Sequence, residues 1–186
     1  MNTKQNIIIG VAAVVVLIIV GYLIINNQSS VITNAPQGTK TEKGTVAAPG
    51  TSPISETGQV VTQTGEQVKL NVTPGTPEAP QQSNPITSPK DLPPQTIKIS
   101  VSAAGFSPSS FTVKSGAAVT LAVTATDSQT HVFLFDDKSL SAVAIGVGPG
   151  ETRAISFNAP KSGEYAFHCD VPGHSGRGEV GKMIVQ

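Results

Sequence analysis

Cys169 and His174 stand five positions apart in the segment Tyr165-Ala-Phe-His-Cys169-Asp-Val-Pro-Gly-His174-Ser-Gly-Arg-Gly-Glu179. A strand end followed by the tight Pro172-Gly173 turn can aim both side chains at one point. Cysteine offers a soft thiolate and histidine an imidazole nitrogen. A second imidazole, His131, lies 38 residues before Cys169. Two imidazoles and one thiolate in a trigonal plane, with a weak axial donor, form the donor set of copper electron-transfer sites. Thiolate suits Cu(I), and imidazole serves either oxidation state. A rigid frame that holds an intermediate geometry reduces the rearrangement needed when an electron moves.

Other chemistries fit poorly. Cys169 is the only cysteine, so an intramolecular disulfide and a thiolate-only zinc site are excluded. A cysteine–histidine nucleophile needs a substrate cleft and usually an orienting Asn or Asp, in a longer chain. No phosphate loop and no paired-carboxylate site is visible. Twelve basic residues balance twelve acidic ones, which removes the broad attraction that nucleic-acid binding rests on.

The elements that would position these residues lie in 96–186. This part holds seven of the eight aromatics and is long enough for one modest core. Apolar and polar residues alternate in short runs. The first three are Ile97 to Val101, Phe111 to Val113 and Val119 to Val123. His131, Phe133 and Phe135 then share one face, and Ile155 with Phe157, Tyr165 to Cys169 and Val180 to Val185 complete the set. Period-two patterning between turns such as Gly148-Pro149-Gly150 and Ala159-Pro160 predicts strands and no helix. The fold class expected is all-β, a small antiparallel Greek-key sandwich.

The rest of the chain has a different character. Residues 7–25 run 19 positions without a charge, with Lys4 ahead of them and no charged residue after them until Lys40. Such a run spans a bilayer as a helix. The positive flank keeps the N-terminus in the cytoplasm and places the remainder outside. A cleaved signal is the alternative reading, but the run is long for one and Asn26-Asn27-Gln28-Ser29-Ser30 offers no small-residue cleavage site. Residues 26–95 hold ten of the fourteen prolines and none of the aromatics. That composition predicts a disordered tether, although alternation from Gln59 to Val72 around Thr64-Gly65-Glu66 would also suit a hairpin. The expected organisation is an anchor over 1–25, a linker over 26–95 and a copper-binding domain over 96–186.

On these motifs the domain resembles the cupredoxin family of small blue-copper proteins, of the plastocyanin and azurin kind. The Tyr-x-Phe-x-Cys169-x-x-Pro-Gly-His174 loop carries most of the resemblance. The Gly105-Phe106-x-Pro108 segment, the Thr130-His131-Val-Phe strand and the Gly181-Lys-Met-Ile-Val ending support it. The resemblance implies His131, Cys169 and His174 as equatorial copper ligands. It departs at the axial position, where the family commonly has Met and this chain has Glu179. The red copper protein nitrosocyanin has this ligand type at a different spacing. The alternatives are Met183, which reads as a core residue of the last strand, and a weak or backbone donor with Glu179 solvated. A carboxylate axial donor would favour Cu(II), lower the potential and pull the site toward tetragonal geometry.

A second departure is Val132, where the family often has a polar residue tying the two ligand loops together. The tie is then expected to be looser or built from other groups, Asp170 among them. His168 neighbours Cys169 on a strand and so points to the opposite face. Asp136-Asp137 reads as a solvated turn, and Val171 with Pro172 as an apolar rim near His174, where family members exchange electrons. The functional expectation is a membrane-tethered mononuclear copper protein, carrying electrons between redox partners on the extracytoplasmic side (periplasm or cell surface). Three alternatives remain at this stage. An open red-copper centre would act as a redox enzyme or bind a small ligand such as nitric oxide or peroxide, a capture protein would deliver copper, and a copper-free sandwich would serve adhesion.

Overall fold

The computed structural model describes residues 46–186. Nine strands are present: β1 (Ile97–Ser102), β2 (Gly105–Ser107), β3 (Ser110–Val113), β4 (Ala118–Ala125), β5 (His131–Phe135), β6 (Ala144–Val147), β7 (Thr152–Asn158), β8 (Gly163–Cys169) and β9 (Val180–Val185). They form two sheets, in the orders β2-β1-β4-β7 and β3-β9-β8-β5-β6. The all-β sandwich expected from the alternation is present. Only short 3-10 turns accompany the strands among the described residues.

Three differences from the sequence reading stand out. The sandwich is not purely antiparallel, because β1 runs parallel to β4 and β3 parallel to β9. Alternation shows that a segment is a strand but carries no information on the direction of its neighbour. Two further strands also form. β2 is only three residues long, and in β6 the small Ala144 and Gly146 alternate with the buried Ile145 and Val147.

The third difference concerns the linker. Residues 46–95 are not a disordered tether; they wrap over the sandwich as a strap. Ser83 N–H donates to Ala154 O at 2.7 Å, and Ile86 N–H donates to Thr152 O at 2.7 Å, so the strap pairs with the edge of β7. Asn158 accepts from Val60 N–H at 2.8 Å through Oδ1 and donates to Gly58 O at 3.0 Å through Nδ2. The outer face of β4 and β7 carries Thr120, Ala122, Ala154 and Ser156, small enough for another backbone to approach closely. Ala48 and Leu92 pack on Ala122 and Ala154 there. Backbone pairing at a sheet edge thus offsets the ordering cost that sparse apolar surface alone would not. The bridge Val61↔Gln67 closes a hairpin-like turn about Gly65, whose φ of +88° suits glycine. No helix among the described residues is long and apolar enough to cross a membrane, and the 7–25 run expected to be an anchor lies outside the described residues, as do 26–45 of the linker.

The core lies between the sheets. Phe133 and Phe167 stack at a tilt with centroids 4.7 Å apart, and Phe106 meets Phe167 edge-on at 5.2 Å. Leu121, Val123, Ile155 and Phe157 line the opposite sheet, all at most 1% exposed. Gly181 on β9 is required by closeness. A Cβ there would stand 2.4 Å from both the Phe167 ring and Ser109 O. β5 and β8 run antiparallel with Phe133 opposite Cys169, so the inner face of each strand continues from aromatic core to the residues of the site.

Candidate metal centre

His131, Phe133 and Phe135 are the buried residues of β5, and Tyr165, Phe167 and Cys169 those of β8. The alternation that points the phenylalanines inward therefore also points His131 and Cys169 inward, at one end of the sandwich. After Cys169 the chain turns back. His174 N–H donates to Val171 O at 3.0 Å, a 3-10 turn follows over Ser175–Arg177, and Gly178 at φ +107° redirects the backbone into Glu179. Cys169 N–H then donates to Glu179 O at 3.0 Å. This loop brings His174 and Glu179 beside Cys169.

The side chains of His131, Cys169, His174 and Glu179 converge, with one donor atom of each within 4.8 Å of the others. Cys169 Sγ lies 3.8 Å from His131 Nδ1 and 3.5 Å from His174 Nδ1. Glu179 Oε2 lies 2.8 Å from His131 Nδ1 and 3.1 Å from His174 Nδ1. Donors bonded to one ion at roughly 2.0–2.3 Å stand about 2.8–4 Å apart at angles from 90° to 120°, and these spacings match. His131 and Glu179 are fully buried, Cys169 is 1% exposed and His174 8%. Met183, the alternative axial donor, is fully buried on β9 as part of the hydrophobic core.

Neighbouring groups fix three of the four donors, His131, Cys169 and Glu179. Asp127 Oδ1 faces His131 Nε2 at 3.0 Å. That carboxylate also accepts from Gln129 N–H at 2.9 Å and from Ala103 N–H at 2.8 Å. Its hydrogen bond with His131, and then that from Gln129, lower its pKa to about 2. An ionised Asp127 holds a proton on Nε2, so that Nδ1, which meets Glu179 Oε2 here, is the nitrogen whose lone pair would serve a metal. Val132 N–H points at Cys169 Sγ from 3.3 Å. Burial pushes the Cys169 thiol up, partly offset by the N–H groups of Val132 and Val171. For Glu179 burial also pushes upward, but hydrogen bonds from Arg177, His131 and Cys169 outweigh it and hold the carboxyl below its ordinary value.

The missing polar residue at 132 is replaced by backbone. Asp170 N–H donates to Val132 O at 2.8 Å and so ties the two ligand-bearing segments. The Asp170 side chain turns instead toward His168 Nε2, at 3.5 Å, while His168 Nδ1 meets Asp136. His168 thus lies on the outer face. Asp137 is exposed and caps a 3-10 turn by accepting from Ser139 N–H at 2.8 Å. Pro172 is exposed and Val171 partly so, close to the least buried of the four donors. Sequence reasoning missed Asp127, Gln129 and Arg177. Their only linear signal is proximity to His131 and Glu179.

A β-sandwich with a cysteine sulfur, two imidazoles and a carboxylate gathered at one end defines a small single-metal protein. Residues 82–185 match the family model described as a cupredoxin-like domain, more than half of the chain. The chain belongs to the cupredoxin family. Among solved structures it is similar to the dithionite-reduced auracyanin of Roseiflexus castenholzii, at 25% identity over 50% of this chain and 97% of that one, with a TM-score of 0.46. It is similar also to auracyanin A of Chloroflexus aurantiacus, a "blue" copper protein, at 24% identity over 49% and 98%, with a TM-score of 0.42. Amicyanin of Paracoccus versutus matches at 20% identity over 55% and 92%, also with a TM-score of 0.42. No curated protein sequence matches the chain. Cupredoxins hold one copper ion, and the donor set and spacings here fit it.

Proposed function

We propose that the protein is a membrane-tethered electron carrier in which His131, Cys169 and His174 hold one copper ion and Glu179 is its axial ligand. The observation that carries this reading is the convergence of the four donor atoms at the buried end of the sandwich. When bound, copper supplies a one-electron couple between Cu(I) and Cu(II). The protein's part is to keep the donors in place. His131 and Cys169 sit on paired strands, Asp127 orients the His131 ring, and Val132 N–H holds the sulfur. Little movement is then needed on electron transfer. Only the His174 side chain, 10% exposed, reaches toward solvent. This enclosure favours transfer through that edge over chemistry on a small ligand entering the site.

Tethering rests on the uncharged run 7–25 behind Lys4, which supports an N-terminus in the cytoplasm and the sandwich on the extracytoplasmic side, meeting its redox partners there. The test is voltammetry of the copper-loaded full-length chain with and without azide. A reversible one-electron wave that azide leaves unchanged is expected. A wave that shifts with azide would replace the carrier reading by that of an open, ligand-binding site. Protease protection in intact cells checks the orientation, with cleavage of the sandwich from outside as the expected result.

A further inference from the structure

The two oxygens of Glu179 have different surroundings. Oε2 faces the cluster, 2.8 Å from His131 Nδ1 and 3.1 Å from His174 Nδ1. Oε1 faces away and accepts from Arg177, at 2.8 Å from Nε and 2.7 Å from Nη2. This forked contact is a geometry that guanidinium forms with carboxylates and ammonium does not. The guanidinium is itself anchored. Nη2 also donates to Gln129 Oε1 at 2.8 Å, and Gln129 N–H holds the Asp127 carboxylate that orients His131. Arg177 therefore joins the segment carrying Glu179 to the loop that precedes His131. Glu179 is fully buried, whereas the Arg177 side chain is 37% exposed, so the ion pair sits at the boundary between the site and water.

We propose that Arg177 is a positioning residue that turns one oxygen of Glu179 toward the bound copper and raises the copper potential through its charge. The proposal rests on the reading of Glu179 as a ligand. Two effects act in the same direction. A thiolate and a carboxylate leave the Cu(I) site with one excess negative charge and the Cu(II) site with none. A permanent cation beside them stabilises the reduced state relative to the oxidised one. The two hydrogen bonds also draw electron density from the carboxylate, which weakens its donation to Cu(II). Arg177 thereby counteracts the low potential that a carboxylate ligand by itself would impose, and it prevents the second oxygen from turning inward.

The experiment compares the copper-loaded full-length protein with Arg177→Gln, Arg177→Lys and Glu179→Gln, by redox titration and Cu(II) EPR. Arg177→Gln should shift the Cu(II):Cu(I) preference toward Cu(II) by about tenfold, a fall of about 59 mV, and should change the EPR pattern. Arg177→Lys restores the charge without the fork, so it should recover most of the potential but not the parent EPR pattern. In the copper-free protein, the Arg177 Nε–H resonance should exchange slowly in the parent and quickly in Glu179→Ala. An unchanged potential and EPR pattern in Arg177→Gln, with both altered in Glu179→Gln, overturns the role of Arg177 alone. No change in either variant overturns Glu179 as a ligand, and the proposal with it.

Discussion

On β5, His131 lies two residues before Phe133; on β8, Cys169 lies two residues after Phe167. All four face inward and none is more than 1% exposed. The aromatic middle and the donor end therefore share strands, face and burial, yet they are stabilised in opposite ways. Burying Phe133 and Phe167 removes apolar surface from water at roughly 25 cal/mol per Å², and their edge-on and tilted contacts add to it. Burying His131 and Glu179 costs free energy unless each polar atom finds a partner. Here each does, through Asp127 on one side and Arg177 on the other. The lesson is a division of labour. The middle keeps the sheets together, and the donor end is tolerated because its polar groups are paired before any metal arrives.

Variants in the two regions should therefore fail differently. Phe167→Ala removes the ring at the centre of the aromatic cluster and should cost about 3–5 kcal/mol in chemical denaturation. Copper uptake should be lost along with it, because β8 positions Cys169. Gly181→Ala should cost roughly 1–3 kcal/mol, toward the upper end, since one obstacle to its Cβ is the backbone oxygen of Ser109. A loss below 0.5 kcal/mol would mean β9 can move away from Phe167. Copper should act only at the donor end. At a free concentration 100 times its dissociation constant it should stabilise the parent by about 2.7 kcal/mol. That gain should disappear in Cys169→Ser while metal-free stability stays near the parent value. The smallest stability effect is expected for Glu179→Met, under about 1.5 kcal/mol, because half-exposed Arg177 can turn to water. Its potential should nevertheless rise by at least about 59 mV, a tenfold shift toward Cu(I). A large loss of stability with no change in potential would place Glu179 with the structural groups.

The parts legible in the sequence were those written locally. Cys169, His174 and Glu179 fall within eleven positions, and alternation in β5 and β8 shows which side chains share the inner face. The strap was not legible, because its order comes from pairing with β7 and from Asn158, residues about 70 to 100 positions away. A composition rich in proline and poor in aromatics reads as disorder when those distant partners are unknown. The parallel pairings of β1 with β4 and β3 with β9 were hidden for a similar reason. Asp127 and Arg177 look like ordinary surface charges in the sequence. Only the fold brings one against Nε2 of His131 and the other against Oε1 of Glu179.

The central claim is that one copper ion is held through the Cys169 thiolate at the donor end. Its most direct test is a Cu(II) titration of the full-length protein followed by its visible absorption. An intense thiolate-to-copper band that saturates at one equivalent, and is absent in Cys169→Ser, is the predicted result. Copper binding without that band, at equal strength in parent and Cys169→Ser, would contradict the account.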